Sequence, residues 1–342
     1  MLGIPSFDQD ADAFEKLVED VFAEDSEPRR FSPRGKDGAI DLISTRDDGR
    51  HVYECKKISA DGLEAAQRRW REVAGHLENH LRDPGGPTRG QAQYGPWYRT
   101  SPAIRAYTFC ISSRLANQNQ HDVLREEIRT FFDRLAGLAH LAHLAGLTVD
   151  VLDGDLLWQR LERRPHLAFR WFPERFPPGL SALDRGTRPD TFRAYLTDEK
   201  LPFYSREQHL VRHPGPADSE DVLLDRLFDD DMATGLVITG SGGVGKSRLA
   251  LELGRRATRR GGFAVRATRL REDALGTFVQ TLVPEQRTLL VIDYVETEAS
   301  FDDVVARLAE LNYAARLRLR LVATCRTSYY PRVADLEDQG VR

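Results

Sequence analysis

Three side chains that could act together on a phosphate group lie near the N-terminus. The stretch Gly38 to Lys57, GAIDLISTRDDGRHVYECKK, has two runs of strand-forming residues around Asp-Asp-Gly, which is a hairpin-turn signal. Asp41 lies in the first run, and Glu54 and Lys56 lie two residues apart in the second. Because side chains alternate along a strand, Glu54 and Lys56 share one face, and Asp41 can lie beside Glu54 across the hairpin.

Two carboxylates that meet in a protein core repel each other, and burying them without a cation is costly. A divalent metal removes the conflict, since Mg²⁺ binds one or two carboxylates and leaves room for a phosphate oxygen. Lys56 would then lie beside the attacked phosphate, as a compact charge whose pKa can fall enough to assist proton transfer. Six of the 49 basic residues are Lys, which favours a role that Arg cannot fill. We therefore predict Asp41 and Glu54 as metal ligands and Lys56 as a catalytic residue.

A glycine-rich loop in the second half of the chain predicts a phosphate-binding site. The segment GSGGVGKS has the spacing G-x4-G-K-S, with the apolar run GLVIT before it and an apolar-periodic helix after it. Its glycines let backbone N–H groups turn toward phosphate oxygens at a helix N-terminus. The predicted contacts are Lys246 to the β- and γ-phosphates and the Ser247 hydroxyl to Mg²⁺. The glycines of the loop are Gly240, Gly242, Gly243 and Gly245.

Three polar residues downstream follow or end buried strands and could complete this site. Asp293 ends the run TLLVID and is the predicted carboxylate in the Mg²⁺ shell. Glu296 either orients or deprotonates the attacking water or simply begins a solvated helix. Arg326 ends the run LVATCR and either points at the γ-phosphate region or is a surface Arg, since ligands bind at the carboxyl ends of parallel strands.

The order of elements predicts an α/β protein with two domains. Residues 1–170 alternate as helix, hairpin, helix, strand, helix, strand, including a helix over 119–145, and residues 83–102 are a Pro/Gly-rich loop. Residues 171–202 are rich in Pro, Arg and Gly and are predicted to be a linker with little structure. Residues 203–342 alternate strands with helices, which predicts a parallel, doubly wound sheet.

The composition of the chain limits the cellular compartments and the kinds of partner that can be expected. The formal charge of −4 neither favours nor excludes nucleic acid, because local patches matter more than the sum. We expect no signal peptide, the longest apolar run is too short to span a bilayer, and the three Cys have no metal or disulfide spacing. A reduced, cytoplasmic protein without a membrane partner is therefore expected.

Residues 8–165 resemble the PD-(D/E)xK nuclease fold, and more closely its Mrr-like restriction endonuclease branch. AFEKLVEDVF matches the opening Phe-Glu helix, with Glu15 as the helix acid. GKDGAIDLI matches the segment that carries the aspartate, Asp41, and YECKK matches Glu-Cys-Lys, with Glu54 and Lys56. VDVLDGDLL matches the late strand and its Asp-Gly turn. The resemblance implies metal-dependent cleavage of double-stranded DNA. The alternatives are that these residues are ordinary charges at the edge of a strand, or that the domain is a degenerate nuclease fold that only binds.

Basic residues flank the hairpin, either as a phosphate-contacting rim or as a solvated face. No base-reading motif is visible, so cutting is expected to depend little on DNA sequence. These basic residues are Arg29, Arg30, Arg34, Lys36, Lys57, Arg68, Arg69 and Arg71.

Residues 200–342 resemble the nucleotide-binding domain of STAND NTPases, which are signalling ATPases. LPFYSREQHL resembles the segment before that domain, with Arg206 in the matching place. GSGGVGKS matches the Walker A loop, and LVATCR resembles the strand with Thr-x-Arg that carries the nucleotide-sensing Arg, Arg326. IDYVE departs from the paired-acid Walker B pattern, because Tyr294 stands at the second acid. The family continues into a further strand, a winged helix and a sensor of repeats, so we expect this chain to be a fragment.

The combination of both regions resembles the antiviral STAND proteins of prokaryotes. That resemblance implies an effector DNA endonuclease, switched by ATP-driven homo-oligomerisation after a missing C-terminal sensor binds a phage protein. Two alternatives stay open. One is a restriction-type or repair ATPase-nuclease with steady, DNA-stimulated ATP turnover, and the other is a signalling scaffold whose N-terminal domain binds but does not cut.

Overall fold

The chain folds into two compact units, residues 1–161 and 162–342. The computed structural model describes residues 10–31, 38–83, 92–183, 219–229, 233–268, 272–298, 301–332, 336 and 340–341. Each unit contains one mixed β-sheet with helices packed on it, so the protein is α/β as predicted. Within these described residues, no helix is both long and apolar enough to cross a lipid bilayer.

Unit 1 is built on a five-stranded sheet in the order β1-β2-β3-β4-β5. Its elements are α1 (Ala11–Ser26), β1 (Arg29–Arg30), β2 (Leu42–Arg46), β3 (Gly49–Lys56), α2 (Leu63–Leu81), β4 (Ile104–Ile111), α3 (Gln118–Ala136), β5 (Thr148–Leu152) and α4 (Gly154–Glu162). The pairs β1–β2 and β2–β3 are antiparallel, whereas β3–β4 and β4–β5 are parallel. The carboxyl ends of β3, β4 and β5 therefore lie at one edge of the sheet.

The core of unit 1 forms where α2 and α3 pack on the sheet. Trp70 of α2 contacts Tyr107 and Phe109 of β4 and Phe131 of α3, with ring centroids 5.4 to 5.9 Å apart. All four side chains are buried. The buried residues of α2 recur at helical spacing, which is why the sequence predicted this element.

The predicted hairpin is confirmed. Strand β2 pairs with β3 along its whole length, and Asp47 and Asp48 form the two-residue turn between them. The turn residues thus fixed the register that brings the two strands together.

Two other predictions for this unit were incomplete. The helix predicted over 119–145 ends at Ala136, and a separate 3₁₀ helix covers Ala139–Leu144. Part of the predicted loop also forms a 3₁₀ helix, Ala92–Tyr98, because its Trp97 is fully buried in the core.

Unit 2 is built on a five-stranded sheet in the order β6-β8-β9-β10-β7. Its elements are α5 (Pro165–Trp171), β6 (Leu180–Ala182), α6 (Glu220–Asp229), β7 (Gly235–Gly240), α7 (Lys246–Arg259), β8 (Phe263–Ala267), α8 (Glu272–Val279), β9 (Arg287–Ile292), α9 (Phe301–Ala315) and β10 (Arg318–Arg326). The strands β7, β8, β9 and β10 pair in parallel, as predicted, and β6 joins β8 antiparallel.

The compact units divide nearer the N-terminus than residue 170, where the sequence placed the end of the first domain. The division falls between Leu161 and Glu162, and Phe169 of α5 packs on Phe263 of β8 with ring centroids 5.9 Å apart. The predicted linker also contains structure, because β6 pairs with β8. A three-residue strand is too short to show a hydrophobic period, so the sequence pattern could not reveal it. The rest of the predicted linker, from residue 184, lies outside the described residues.

Candidate functional sites

Asp41 is positioned by a sharp turn just before β2. Gly38 and Ala39 both have left-handed backbone conformations, with φ of 66° and 60°, and the Trp97 indole N–H donates to the Gly38 carbonyl at 2.8 Å. The Asp41 N–H then donates to the Tyr53 carbonyl at 2.9 Å, which continues the hairpin ladder. This anchoring holds Asp41, which is only 4 % exposed, against β3.

Glu54 and Lys56 extend from β3 toward Asp41. Glu54 is 2 % exposed, and its Oε1 contacts Lys56 Nζ. Lys56 Nζ also donates to Asp41 Oδ2 at 3.3 Å and to the Cys55 carbonyl at 3.2 Å. A second hydrogen bond to Asp41 Oδ2 comes from the Cys55 N–H at 2.6 Å. Two buried carboxylates and one carbonyl oxygen thus meet a single ammonium group at the carboxyl end of β3.

Tyr53 and Cys55, which alternate with Glu54 and Lys56 along β3, face the opposite side of the sheet, as the alternation predicted. The Tyr53 hydroxyl lies 3.0 Å from Ser26 Oγ of α1, and its ring packs on Phe22 of the same helix. Cys55 pairs in register with Cys110 of β4, and both thiols are free and buried. Burial, followed by a hydrogen bond with Cys110, raises the pKa of Cys55 well above its ordinary value. The thiol therefore stays protonated at neutral pH and is a poor nucleophile.

Tyr107 of β4 lies close enough to the carboxylates to be influenced by them. Its side chain is fully buried, and no described residue forms a hydrogen bond with its hydroxyl. Burial first, and then the negative charges of Glu54 and Asp41, raise the pKa of Tyr107 well above its ordinary value. The electrostatic effect of the two acids thus reaches into the aromatic core, where little water is available to screen it.

The Asp-Gly turn after β5 has a structural role. Asp153 is fully buried, and its carboxylate accepts from the N–H groups of Leu115 at 2.8 Å and Leu156 at 3.0 Å. Its Oδ2 also lies 3.3 Å from His121 Nε2 of α3. The carboxylate therefore ties the start of α4 to the segment after β4.

Glu15, the predicted helix acid, lies on α1. Its Oε2 is 3.9 Å from Nη2 of Arg30 in β1, so it contacts a cation of the predicted basic rim. Arg30 Nη2 also donates to the carbonyl of Asp12 at 2.7 Å. The helix acid is thus linked to the edge of the sheet.

Other members of the basic rim are paired with acids. Arg69 contacts Glu72 on its own helix, and Arg71 Nε lies 3.1 Å from Glu127 Oε1 of α3. These ion pairs weaken the case for a purely cationic surface. The rim residues at positions 34 and 36 lie outside the described residues.

The donor set around Lys56 fits a hard cation. Carboxylate and carbonyl oxygens are the ligands that Mg²⁺ prefers, and Asp41, Glu54 and the Cys55 carbonyl supply three of them. In the part of the chain that the structure describes, no three His, Cys, Asp or Glu side chains converge as a ready-made metal site. A metal here would depend on two carboxylates, a backbone oxygen and water, as Mg²⁺ sites commonly do.

The glycine-rich loop of unit 2 connects β7 to α7. Residues 241–245 are all exposed, and α7 begins at Lys246. Gly243 and Gly245 have φ of 79° and 93°, a conformation that residues with a side chain rarely adopt. The first N–H groups of α7 have no acceptor within their own helix, so they can donate to an anion at the loop.

Lys246 lies across the loop that precedes it. Its side chain is buried, and Nζ donates to the carbonyl of Ser241 at 2.8 Å. Ser247, the predicted Mg²⁺ ligand, is the second residue of α7 and is half-buried. The ammonium group is therefore located at the loop, where a phosphate would compete with the carbonyl for it.

The strand order brings the three downstream residues to this loop. β10 lies between β7 and β9, and Arg326 at its end is in register with Gly240, the last residue of β7. Thr324 Oγ1 donates to Asp293 Oδ1 at 2.7 Å and accepts from the Tyr294 N–H at 2.8 Å. Thr324 has no predicted role in this site, although its place in Thr-x-Arg was the available signal.

Glu296 is tied to β10. It lies in a 3₁₀ turn, Val295–Thr297, and its Oε1 accepts from the Arg326 backbone N–H at 2.6 Å. Its other oxygen, Oε2, is buried and has no hydrogen-bond donor among the described residues. Glu296 thus faces the edge of the sheet, and the alternative of a solvated helix start is not what the structure shows.

The Arg326 guanidinium lies over the ring of Tyr294, 5.8 Å from its centroid. Arg206 lies outside the described residues.

Both candidate sites lie at the carboxyl ends of parallel strands, which is where α/β sheets commonly bind their ligands. Comparison of the chain with protein-family models and with curated proteins found no match. What each site can do therefore follows from its own side chains and backbone.

Proposed function

We propose that unit 1 hydrolyses phosphodiester bonds of double-stranded DNA with the help of Mg²⁺, and that unit 2 binds ATP and controls this activity. The observation that carries the proposal is the convergence of Asp41, Glu54 and Lys56 at the end of β3. It combines oxygen donors for a hard cation with an ammonium group for a phosphate. A divalent cation would also relieve the cost of burying two carboxylates side by side.

The residues of unit 1 have distinct roles in this proposal. Asp41, Glu54 and the Cys55 carbonyl would hold Mg²⁺, which supplies positive charge at the scissile phosphate when bound. The Lys56 side chain is 17 % exposed and is the member of the group that reaches solvent. Its flexible stem can move the ammonium group from the carboxylates to a phosphate oxygen.

The residues of unit 2 support nucleotide control of that activity. The loop N–H groups and Lys246 would bind the phosphates of ATP, and Ser247 and Asp293 would hold Mg²⁺. Arg326 and Glu296 meet at the same edge of the sheet, where a γ-phosphate would be sensed. In this proposal ATP favours assembly into a homo-oligomer that activates the nuclease as an antiphage effector. ATP needs to favour one state by only a few kcal/mol to shift such an equilibrium.

Cleavage of DNA by the whole chain tests this proposal. Wild-type protein is incubated with plasmid DNA, Mg²⁺ and ATP, beside the variants Lys56→Ala and Glu54→Ala. The matched control is Lys16→Ala, which removes a lysine that contacts two acids but is 49 % exposed. We expect cleavage by wild type and control and a loss of about a hundredfold or more in both site variants. Equal cleavage by all four proteins would contradict the assignment.

One observation favours a second function, in which unit 1 binds DNA without cutting it. Lys56 already contacts both carboxylates, which is also what a purely structural ion cluster looks like. Titration with Mn²⁺, monitored by electron paramagnetic resonance, separates the two functions. A catalytic site binds Mn²⁺ in the wild type and loses it in Asp41→Asn, whereas a structural cluster binds none in either protein. Steady, DNA-stimulated ATP turnover would instead favour a restriction-type or repair ATPase-nuclease.

A further inference from the structure

Tyr294 has a backbone conformation that is unusual for a large aromatic residue. Its φ is 64° and its ψ is 83°, in the left-handed region that glycine and asparagine tolerate better. Such conformations persist where the surrounding structure holds them in place, and they occur often at functional sites.

Two linked hydrogen bonds hold Tyr294 in this conformation. Its N–H donates to Thr324 Oγ1 at 2.8 Å, and the same hydroxyl donates to Asp293 Oδ1 at 2.7 Å. Thr324 is fully buried in β10. Because the threonine belongs to the neighbouring strand, the turn after β9 is fixed to β10.

The turn presents the Tyr294 ring to Arg326 instead of to the core. Tyr294 is 37 % exposed, and the Arg326 guanidinium lies over its ring. The Arg326 backbone N–H donates to Glu296, but no described residue accepts a hydrogen bond from the guanidinium. A guanidinium stacked on an aromatic ring keeps its in-plane N–H groups available for an anion.

We infer that Tyr294 is a positioning residue, which holds the Arg326 guanidinium beside the glycine-rich loop for the terminal phosphate of a nucleoside triphosphate. This inference rests on the proposed nucleotide site and adds a residue to it. The register supports it, since Arg326 is level with Gly240, where the loop begins. Because the ring is uncharged, it orients the guanidinium and leaves its positive charge intact. A carboxylate at this place would neutralise that charge.

Nucleotide affinities of the whole chain test the inference. The variants are Tyr294→Asn, which removes the ring but tolerates the left-handed conformation, and Tyr294→Phe, which keeps the ring. We expect Tyr294→Asn to weaken ATP binding about two- to fivefold, the usual size of an exposed cation–π contact, and to leave ADP binding unchanged. Tyr294→Phe should bind both nucleotides as the wild type does.

A double-mutant cycle with Arg326→Ala then identifies the route of the effect. If Tyr294 acts through Arg326, Tyr294→Asn causes no further loss of ATP affinity in the Arg326→Ala background. An unchanged affinity in Tyr294→Asn, or an equal loss in both backgrounds, overturns the inference while the nucleotide site stands. A wild-type chain that binds neither ATP nor ADP overturns the proposed site and this inference with it.

Discussion

The two candidate sites differ in what holds them together. In unit 1, charged side chains are buried against one another, and Lys56 joins Asp41 to Glu54. In unit 2, the glycine-rich loop is an exposed stretch of backbone whose shape comes from glycine conformations. The first site is thus an arrangement of charges and the second an arrangement of N–H groups. Each should therefore respond to a different kind of substitution.

The largest effect is expected when the ammonium group is removed from unit 1. Lys56→Ala takes away the cation that both buried carboxylates contact, which should lower the free energy of unfolding of unit 1 by about 3–5 kcal/mol. Hydrogen exchange of the β2–β3 hairpin measures this loss. Millimolar Mg²⁺ should restore part of the protection if the carboxylates hold a metal.

The matched control for that experiment is Lys16→Ala. Lys16 contacts Glu19 and Asp20 on an exposed helix surface, so its loss should cost less than about 1 kcal/mol. Equal effects of the two lysine substitutions would show that unit 1 is not held by buried charge.

A smaller effect is expected from the backbone of unit 2. Gly245→Ala puts a side chain where φ is 93°, which should cost about 1–2 kcal/mol and abolish ATP binding. Gly276→Ala is the matched control, because Gly276 of α8 lies outside the loop and outside the left-handed region, and its Cβ would meet open space. Denaturant unfolding and ATP titration measure both variants. Similar losses in the two would mean that the loop depends on something other than glycine conformation.

Tyr107 is buried beside the unit 1 site, and its burial should make unit 1 less stable at alkaline pH. The exposed loop of unit 2 should show no such effect. The Tyr107 pKa is raised in the folded chain, so above its ordinary value of 10.0 the unfolded chain ionises while the folded chain does not. The contribution of this group to stability is fully present below that pH and falls as pH rises, by about 1.4 kcal/mol per pH unit.

Tyr107→Phe removes this group and tests the effect. The variant should be at least as stable as the wild type at pH 7, since no described residue bonds the buried hydroxyl, and should lose about 1 kcal/mol less by about pH 11. Denaturant unfolding at both pH values measures the difference. Parallel pH curves for the two proteins would show that Tyr107 does not carry the effect.

The smallest effect is expected on the surface of unit 1. Arg71→Ala removes an ion pair with Glu127 in which Arg71 is mostly exposed, so stability should change by less than about 0.5 kcal/mol. Its DNA affinity should also change little, because Glu127 already offsets the charge. A DNA affinity that falls about tenfold, with a weaker salt dependence, would restore the idea of a phosphate-contacting rim.

Much of the fold could be predicted because its patterns are local. The hairpin turn at Asp47 and Asp48 and the parallel strands of unit 2 follow from turn residues and apolar runs in consecutive sequence. The end of α3, the short strand β6 and the burial of Trp97 could not be predicted. Each depends on contacts with residues far away in the chain, which override local preference.

The sequence alone determined which residue types are present and where the glycines and charges fall. That was enough to locate the glycine-rich loop between β7 and α7, because a contiguous motif carries its own backbone geometry. Only the tertiary structure decided that Lys56 contacts both Asp41 and Glu54, and that β10 lies between the strands that lead to the loop and to Asp293. The physical reason is strand pairing. Register and strand order set which distant side chains meet, and no local pattern contains that information.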